Sequence, residues 1–600
     1  MLIVGEPGLG KSRLIDEFRG KLADAPHTWV EWSSSQLLQN TPLHPVAEWG
    51  RQRFGVADVP AERRLADLEN TLALIGLDAT EYAPLIAPLV DIALPEAWAA
   101  KFPPDELRRR QLAAITAWYL AGARTQPAIL AFEDLHWADP TSLDLLRSLA
   151  ERGAQAPLLI VATTRPEFRP EWSLRPHHSV LSLSPLNRAQ VVRMVGEIAS
   201  RHGLSKEVVE GVNQRTGGVP LFVEKVTRLL LERGEQGGSQ AIPPTLQQSL
   251  AARLDRLGEA RETAQIGAVL GRDFSYRLLR DVAGLDEPAL QAALERLAEA
   301  DILFAEGAPP QATYRFKHAL IQDAAYESLL KSRRQPLHRR AAEFLRAGGA
   351  EPEAIAHHFT EADLDDLAIE WWGKAGDQAL RRSAFQEAIA HLGKAIAMAD
   401  KAGGGKAAGG SGERRKLQVS YGNALAAARG FGAPETTDAF ARVRESASSE
   451  RLAPERLAAE VGLWASSYVR GELPSMRGHA AVSLHDIDAE SGSPEAGVAH
   501  RITGITCWFA GEFVEARGHL ERALALFEPG RDDDQAFHFG LDGGVAALAN
   551  LAISTWALGD VERATSLVVR THARIGEVAH VNTCQRRSKI ASLSGAKMHQ

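Results

Sequence analysis

An α/β domain with a parallel sheet flanked by helices, continued by a long all-helical half, is the fold class this sequence predicts. Three observations predict it. Continuous apolar runs, Ala128-Ile129-Leu130-Ala131-Phe132 and Pro157-Leu158-Leu159-Ile160-Val161-Ala162, alternate with helical patterns, as strands buried on both faces do. The runs end in polar residues, Glu133-Asp134 and Thr163-Thr164-Arg165-Pro166, which are the ends where such sheets carry ligands. The second half is dominated by Ala, Leu, Glu and Arg, a helix-forming composition.

The elements follow in order. Met1-Leu2-Ile3-Val4 is a short apolar strand, and an amphipathic helix opens at about Lys11 with Leu14, Ile15, Phe18 and Leu22 on one face. Thr28 to Trp32 reads as a strand. A mostly helical insertion runs from about 41 to 123. The two apolar runs are the next strands, with a helix from Thr141 to Arg152 between them, and Ser179 to Leu183 is a last short strand. The α/β core thus spans 1–183 and a helical lid 184–233. A Gly-, Gln- and Ser-rich linker, Gly234 to Ile242, leads into a segment of helices followed by a hairpin. The hairpin pairs Ile302-Leu303-Phe304 with Thr313 to Phe316 across Gly307 and Pro309-Pro310. Helices followed by a hairpin predict a winged-helix arm over 243–345.

Beyond it, residues 350–402 and 413–582 read as stacked helical repeats on either side of a second Gly-rich linker, Gly403 to Gly412. Ala388, Leu392, Ala395 and Ile396 share a spacing with Ala516, Leu520, Ala523 and Leu524, and each set follows a Phe and a Glu. Gly511-Glu512 and Gly559-Asp560 each begin three residues after a Trp. Small residues at helix contacts and aromatics in the gaps suit tetratricopeptide-like hairpins. The unit spacing is irregular, and a non-repetitive helical domain is the competing reading. Residues 583–600 lose the helical pattern and form an irregular tail.

Six hundred residues suit about three to five domains. A net charge of −8 gives no reason to expect nucleic acid or an anionic membrane as partner. The cysteines are Cys507 and Cys584, far apart, which excludes a disulfide framework and suits a reducing cytoplasm. The most apolar long window, Ala83 to Ala100, carries three prolines and two acids and is no membrane span.

The chemistry concentrates at the first strand. Gly5-Glu6-Pro7-Gly8-Leu9-Gly10-Lys11-Ser12 is a full G-x-x-x-x-G-K-[ST] P-loop, with Arg13 following. Glycines let backbone N–H groups point at phosphate oxygens, and the helix N-terminus adds its positive end. Lys11 is expected on the β and γ oxygens of ATP, and the Ser12 hydroxyl on Mg2+. Glu133-Asp134 falls at the expected Walker B position, with Glu133 on the metal and Asp134 on the attacking water. The order is open, because the metal acid of such pairs is usually Asp. Arg165, after the next strand, is a candidate γ-phosphate sensor, against the reading of a surface Arg before a proline turn. His136 reads as a packing residue. Only four residues precede the P-loop, so the chain is expected to begin within a domain. Nucleotide affinity is then expected to be weaker than in a chain extended at its N-terminus.

These residues carry a resemblance. Gly5 to Leu14, together with Glu133-Asp134-Leu135-His136-Trp137-Ala138-Asp139-Pro140, resembles the predicted ATPases of the STAND branch of AAA+-like proteins. More narrowly it is similar to the ATPase–tetratricopeptide part of bacterial multidomain adenylate/guanylate cyclases and large LuxR-type regulators. Gly217 to Glu224 resembles the family's Gly-x-Pro motif, which implies that Pro220 contacts the adenine region and couples nucleotide to the arm. Tyr314 to Leu320 resembles the motif at the end of the arm, and relatives place a His near the diphosphate, which makes His318 a candidate. The resemblance spans roughly 1–580 and contains no cyclase catalytic domain. It implies a signal-transduction ATPase that switches between ATP and ADP forms, with an inducer, protein or small molecule, on the helical repeats, and self-association among its contacts. An interaction scaffold with a little-hydrolysed nucleotide is the alternative. A DNA-binding regulator is disfavoured by the acidic balance, although Lys331 to Arg340 is basic.

Overall fold

The computed structural model describes residues 1–55, 59–94, 104–170, 172, 175–199, 205–233, 250, 254–401, 410–447, 454–487, 492–532, 539 and 542–577. The first linker, all but the edge of the second and the irregular tail lie outside the described residues. The chain divides into two compact units. The first holds Met1–Leu94 and Ala114–Leu364, and the second Pro95–Ala113 and Asp365–Gln600.

In the first unit the strands are β1 (Leu2–Val4), β2 (Thr28–Ser33), β3 (Ala128–Glu133), β4 (Leu158–Thr164) and β5 (Val180–Ser182). They form one sheet in the order β2-β3-β4-β1-β5, with every neighbouring pair parallel. Composition explains the placement. Ala128 to Phe132 has no polar side chain and is wholly buried, so it takes an interior position. Val180 and Leu181 are exposed on the edge strand β5. The register sets Ser33 beside Glu133 and Val4 beside Thr164. Parallel pairing therefore brings the P-loop, the acid pair and Arg165 to one edge of the sheet.

Helix α1 (Lys11–Lys21) follows the P-loop and buries Ile15 in a cluster with Ile3, Ala131 and Val161. The insertion contains α2 (His44–Phe54), α3 (Ala61–Leu74), α4 (Ala79–Ile86) and α5 (Pro104–Thr125), and α6 (Pro140–Arg152) lies between β3 and β4. The insertion expected over 41–123 is divided, because residues 95–113 group with the second unit. Arg108 accounts for part of this by donating to the Ser383 carbonyl.

Helices α7 (Arg188–Ile198), α8 (Lys206–Thr216) and α9 (Pro220–Arg233) pack through Val191, Val195, Val212, Phe222, Val223 and Val226. A reciprocal capping box between Asn187 and Gln190 starts α7. The arm runs α10 (Ala260–Leu270), β6 (Asp273–Ser275), α11 (Tyr276–Ala283), α12 (Glu287–Glu299), β7 (Leu303–Glu306) and β8 (Thr313–Phe316). The hairpin stands where the sequence placed it. The strand β6, which has no apolar run to announce it, pairs antiparallel with β8 and completes the three-stranded sheet of a winged helix. Then come α13 (Ala319–Glu327), α14 (Lys331–Ala347) and α15 (Pro352–Glu361). The repeats were expected to start at 350, yet α15 belongs to the first unit. Its buried polar groups bond there: Thr41 donates to Glu353, and His358 pairs with His338.

The second unit is helical throughout its described residues: α16 (Asp365–Arg381), α17 (Phe385–Lys401), α18 (Gly410–Arg429), α19 (Pro434–Ser446), α20 (Pro454–Arg470), α21 (Leu473–Asp486), α22 (Pro494–Phe509), α23 (Phe513–Leu526), α24 (Gly543–Ala557) and α25 (Val561–Glu577). Successive helices pack on one another. The spacing repeat has a geometric meaning. A Cβ on Gly376 of α16 would stand 2.4 Å from Leu392 of α17, and one on Gly504 of α22 would stand 2.7 Å from Leu520 of α23. The Gly-acid pairs are helix stops. Glu512 N–H reaches the Cys507 carbonyl and Asp560 N–H the Thr555 carbonyl, after a glycine of positive φ. Gly471-Glu472 makes the same turn, with Glu472 N–H on the Ser467 carbonyl. All three are the left-handed glycine cap that closes a helix.

Candidate active site

The site grows from β1. Gly5 N–H bonds to the Thr164 carbonyl at 3.2 Å, which extends the sheet by one residue before the loop turns away. Gly8 and Gly10 have φ of 83° and 91°, a region that side chains disfavour and that the loop needs in order to curl. Gly10 caps α1, so Lys11 and Ser12 project from its first turn. The Lys11 Nζ donates to the Gly5 and Glu6 carbonyls at 2.7 and 3.1 Å. Burial lowers its pKa, and Arg165 adds to the effect while Asp134, Glu6 and Glu133 oppose it.

The Ser12 hydroxyl donates to Glu133 Oε2 at 3.1 Å. P-loop and acid pair, 121 residues apart in sequence, thus meet directly. Burial pushes the Glu133 carboxyl up to about 7, against the pull of Arg272. Asp134 leaves the strand in a left-handed conformation, φ 55°, and its N–H bonds to Thr163 Oγ1 at 3.0 Å. The turn directs the two carboxylates differently: one to Ser12, the other to Arg272, whose Nη1 lies 2.6 Å from Asp134 Oδ2. A hydroxyl and a largely buried carboxylate in contact are the hard oxygen donors that Mg2+ takes, so the residues present fit that ion.

The remaining candidates divide. Arg165 lies at the same sheet edge, with its guanidinium 5.1 Å from the Trp137 ring centroid. Arg13 pairs with Glu17 on the exposed face of α1. Leu9 is buried beneath the loop, and Glu6 and Pro7 supply loop backbone and turn. Pro220 begins α9, and its neighbours grip the loop: Leu221 N–H bonds to the Gly8 carbonyl at 3.1 Å, and a Cβ on Gly8 would touch Val219 at 3.1 Å. Gly218 explains the glycine of Gly-x-Pro. Its φ is +75° and a Cβ there would fall 2.1 Å from the Leu186 carbonyl oxygen. The His136 ring lies tilted against Trp137 with centroids 4.4 Å apart, and both its ring nitrogens are buried without a hydrogen-bond partner. Burial takes its pKa down to about 4. His318 precedes α13; burial, then Lys225, brings it to about 4. Asp139, in the acid block, is a helix cap. It accepts from Ser142 N–H at 2.8 Å and Leu43 N–H at 3.0 Å.

Arg272, between α10 and β6, is the residue that sequence reasoning missed. It lies in Gly271-Arg272-Asp273, with no motif spacing to mark it. A cavity of about 580 Å³ opens at the opposite edge of the sheet, lined by Met1, Ala128 and Leu158 among others. It contains none of the loop or acid residues.

A curated uncharacterized protein of Rhizobium meliloti (strain 1021) is 26% identical over 613 residues, covering 97% of this chain. This chain spans 58% of that relative's length. Among solved structures, a Signal Transduction ATPase with Numerous Domains (STAND) protein with a tetratricopeptide repeat sensor from Pyrococcus horikoshii is 13% identical. It covers 96% of this chain and 92% of its own, with a TM-score of 0.35. BtubC from P. vanneervenii covers 41% of this chain and 91% of its own at 14% identity and a TM-score of 0.29. Residues 1–161, which hold the P-loop, the insertion and the acid pair, match the family model of the AAA ATPase domain.

Proposed function

We propose that this chain is a signal-transduction ATPase of the STAND kind, a switch set by its nucleotide. The observation that carries the reading is the Ser12–Glu133 contact, because it joins the phosphate loop to a largely buried carboxylate, the oxygen-donor pair that a nucleotide-bound Mg2+ would take. In this reading the loop N–H groups and Lys11 hold the phosphates. Ser12 and Glu133 hold Mg2+, which would neutralise charge on the β and γ oxygens. Asp134 orients water, Arg165 reports the γ-phosphate, and Pro220 places α9 against the loop. Two arrangements of core and arm, one favoured by Mg2+·ATP and reset by slow hydrolysis, make a two-state device biased by γ-phosphate contacts. The helical repeats would take an inducer or partner protein. A relation to the ATPase–tetratricopeptide part of bacterial cyclases and LuxR-type regulators, and a cytoplasmic setting, belong to the same reading.

The test is Lys11→Ala, which is expected to weaken ATP binding by about a hundredfold or more, the scale of losing a buried charge-assisted contact. Equal affinity of the two proteins by calorimetry would sink the site assignment. A scaffold with a little-hydrolysed nucleotide is the second reading, favoured by Arg272 lying on the proposed water-orienting acid. Steady-state phosphate release separates the two: Asp134→Asn abolishes it in a switch and leaves it unchanged in a scaffold.

A further inference from the structure

Arg272 belongs to the arm by its backbone and to the core by its side chain. Its carbonyl accepts from Phe316 N–H at 3.0 Å, which ties it to β8. Its guanidinium reaches Asp134 at 2.6 Å and lies 4.0 Å from Glu133 Oε2. That oxygen is the same one that accepts from Ser12. All three charged side chains are largely buried, at 17, 19 and 12% exposure for Arg272, Asp134 and Glu133. The pair of adjacent carboxylates needs a positive partner in so dry a place. A divalent ion on Glu133 and a guanidinium beside it would repel one another, with Lys11 and Arg165 adding positive charge nearby.

From this we infer that Arg272 is a built-in counter-ion that competes with the divalent cation for the acid pair, so that metal loading and arm release are one equilibrium. The inference rests on the reading of Glu133 as a metal ligand. With Arg272 on the acids, the arm is latched to the core. When Mg2+ arrives with the nucleotide, the guanidinium is displaced and the arm loses this hold. Linkage makes the effect reciprocal: whatever factor the latch takes from metal affinity, metal takes from arm docking. A second set of contacts, Lys225 and Arg228 of α9 with Asp301 at 3.9 and 3.7 Å, joins the arm to the lid without involving the acids. Arg272 is therefore the part of the attachment that senses metal.

The experiment uses the full chain and a fluorescent ATP analogue titrated at rising Mg2+. In Arg272→Ala, and in the longer neutral Arg272→Gln should the first variant fold poorly, the Mg2+ concentration that half-maximally tightens binding is expected to fall about tenfold. Binding in EDTA is expected to stay as in wild type, and Arg272→Lys to restore most of the metal requirement. Limited proteolysis supplies a readout apart from turnover: Mg2+·ATP is expected to speed cleavage of wild type toward the rate of the metal-free Arg272→Ala protein. An unchanged Mg2+ dependence overturns the proposal. So does lost turnover at saturating Mg2+ with an unaltered metal requirement, which would make Arg272 a catalytic cation. If wild type binds no nucleotide at all, the reading of the site fails. A double-mutant cycle in urea that still couples Arg272 to Asp134 would then mark the pair as structural and overturn the latch as well.

Discussion

Two sets of glycines, one in each unit, do opposite work. At the P-loop and lid it is there for the backbone: Gly8 and Gly218 hold positive φ while main chain or apolar side chains press against them. In the helical unit, Gly376 and Gly504 are ordinary helical residues. Their missing side chains make room for Leu392 and Leu520 of the next helix. Gly462 does the same for Phe440, whose ring lies 2.5 Å from where a Cβ would be. The first use shapes a surface for a ligand, and the second brings helix axes together. The difference teaches that similar glycine usage along one chain encodes a binding loop in one region and a packing code in the other.

The comparison can be broken most severely at Gly218. Gly218→Ala combines a left-handed alanine with a collision against a backbone carbonyl, and is expected to cost about 4 kcal/mol of first-unit stability. It should also weaken nucleotide binding, because α9 grips Gly8. Calorimetric unfolding together with an ATP titration measures both, and a loss of stability without a loss of affinity would uncouple lid from loop. Next in size is Leu520→Ala. Leu520 is wholly buried against Gly504, and its truncation is expected to cost about 3 kcal/mol while leaving ATP affinity unchanged. Urea unfolding followed by tryptophan fluorescence reads the first part. An altered affinity would show that the two glycine systems are not independent.

The smallest effect concerns histidine pairs. In the first unit His338 and His358 meet at 2.8 Å, with Tyr326, His357 and Arg334 around them. Burial, then His357, takes His338 down to about 3 and His358 well below its ordinary value. In the second unit His500 and His519 meet at 2.9 Å but are half-buried, and burial lowers His519. A base whose folded pKa is depressed binds fewer protons folded than unfolded between the two values. Its contribution is complete above the unfolded value and declines as pH falls below about 6.5 toward the folded value. From about pH 7 to about pH 5.5 the first unit is expected to lose about 1 kcal/mol per buried imidazole. His338→Phe should flatten that slope when stability is followed by urea titration across the range. A slope that survives in His338→Phe, His358→Leu would place the acid sensitivity elsewhere.

Much of the fold was legible. Uninterrupted apolar runs of five or six residues, too short for a buried helix, read as buried strands, and their polar ends marked the site edge because parallel strands share a direction. The P-loop and the acid pair were legible because each is a local motif, and the structure adds that Ser12 and Glu133 touch. The Leu392 and Leu520 spacing was legible as a pattern, although nothing in the spacing marks their partners Gly376 and Gly504. Where reading failed, local pattern was silent. The strand β6 is three residues long and exists only because β8 pairs with it. Helix α15 looks like the repeat helices that follow it. Its buried Glu353 and His358 are what assign it to the first unit, through Thr41 and His338.

By itself the sequence determined the phosphate loop, the acids at the end of β3, the parallel core and the helical character of the second half. Each of these is set by residues adjacent in the chain, where spacing, turn geometry and apolar run length act directly. Only the tertiary structure decided that Glu133 faces Ser12, that Asp134 turns the other way, and that Arg272 meets both acids. Arg272 lies 138 residues beyond Asp134, in a segment with no motif. Such a charge finds its partner only once arm and core lie side by side, through contacts as remote in sequence as that of Thr41 with Glu353.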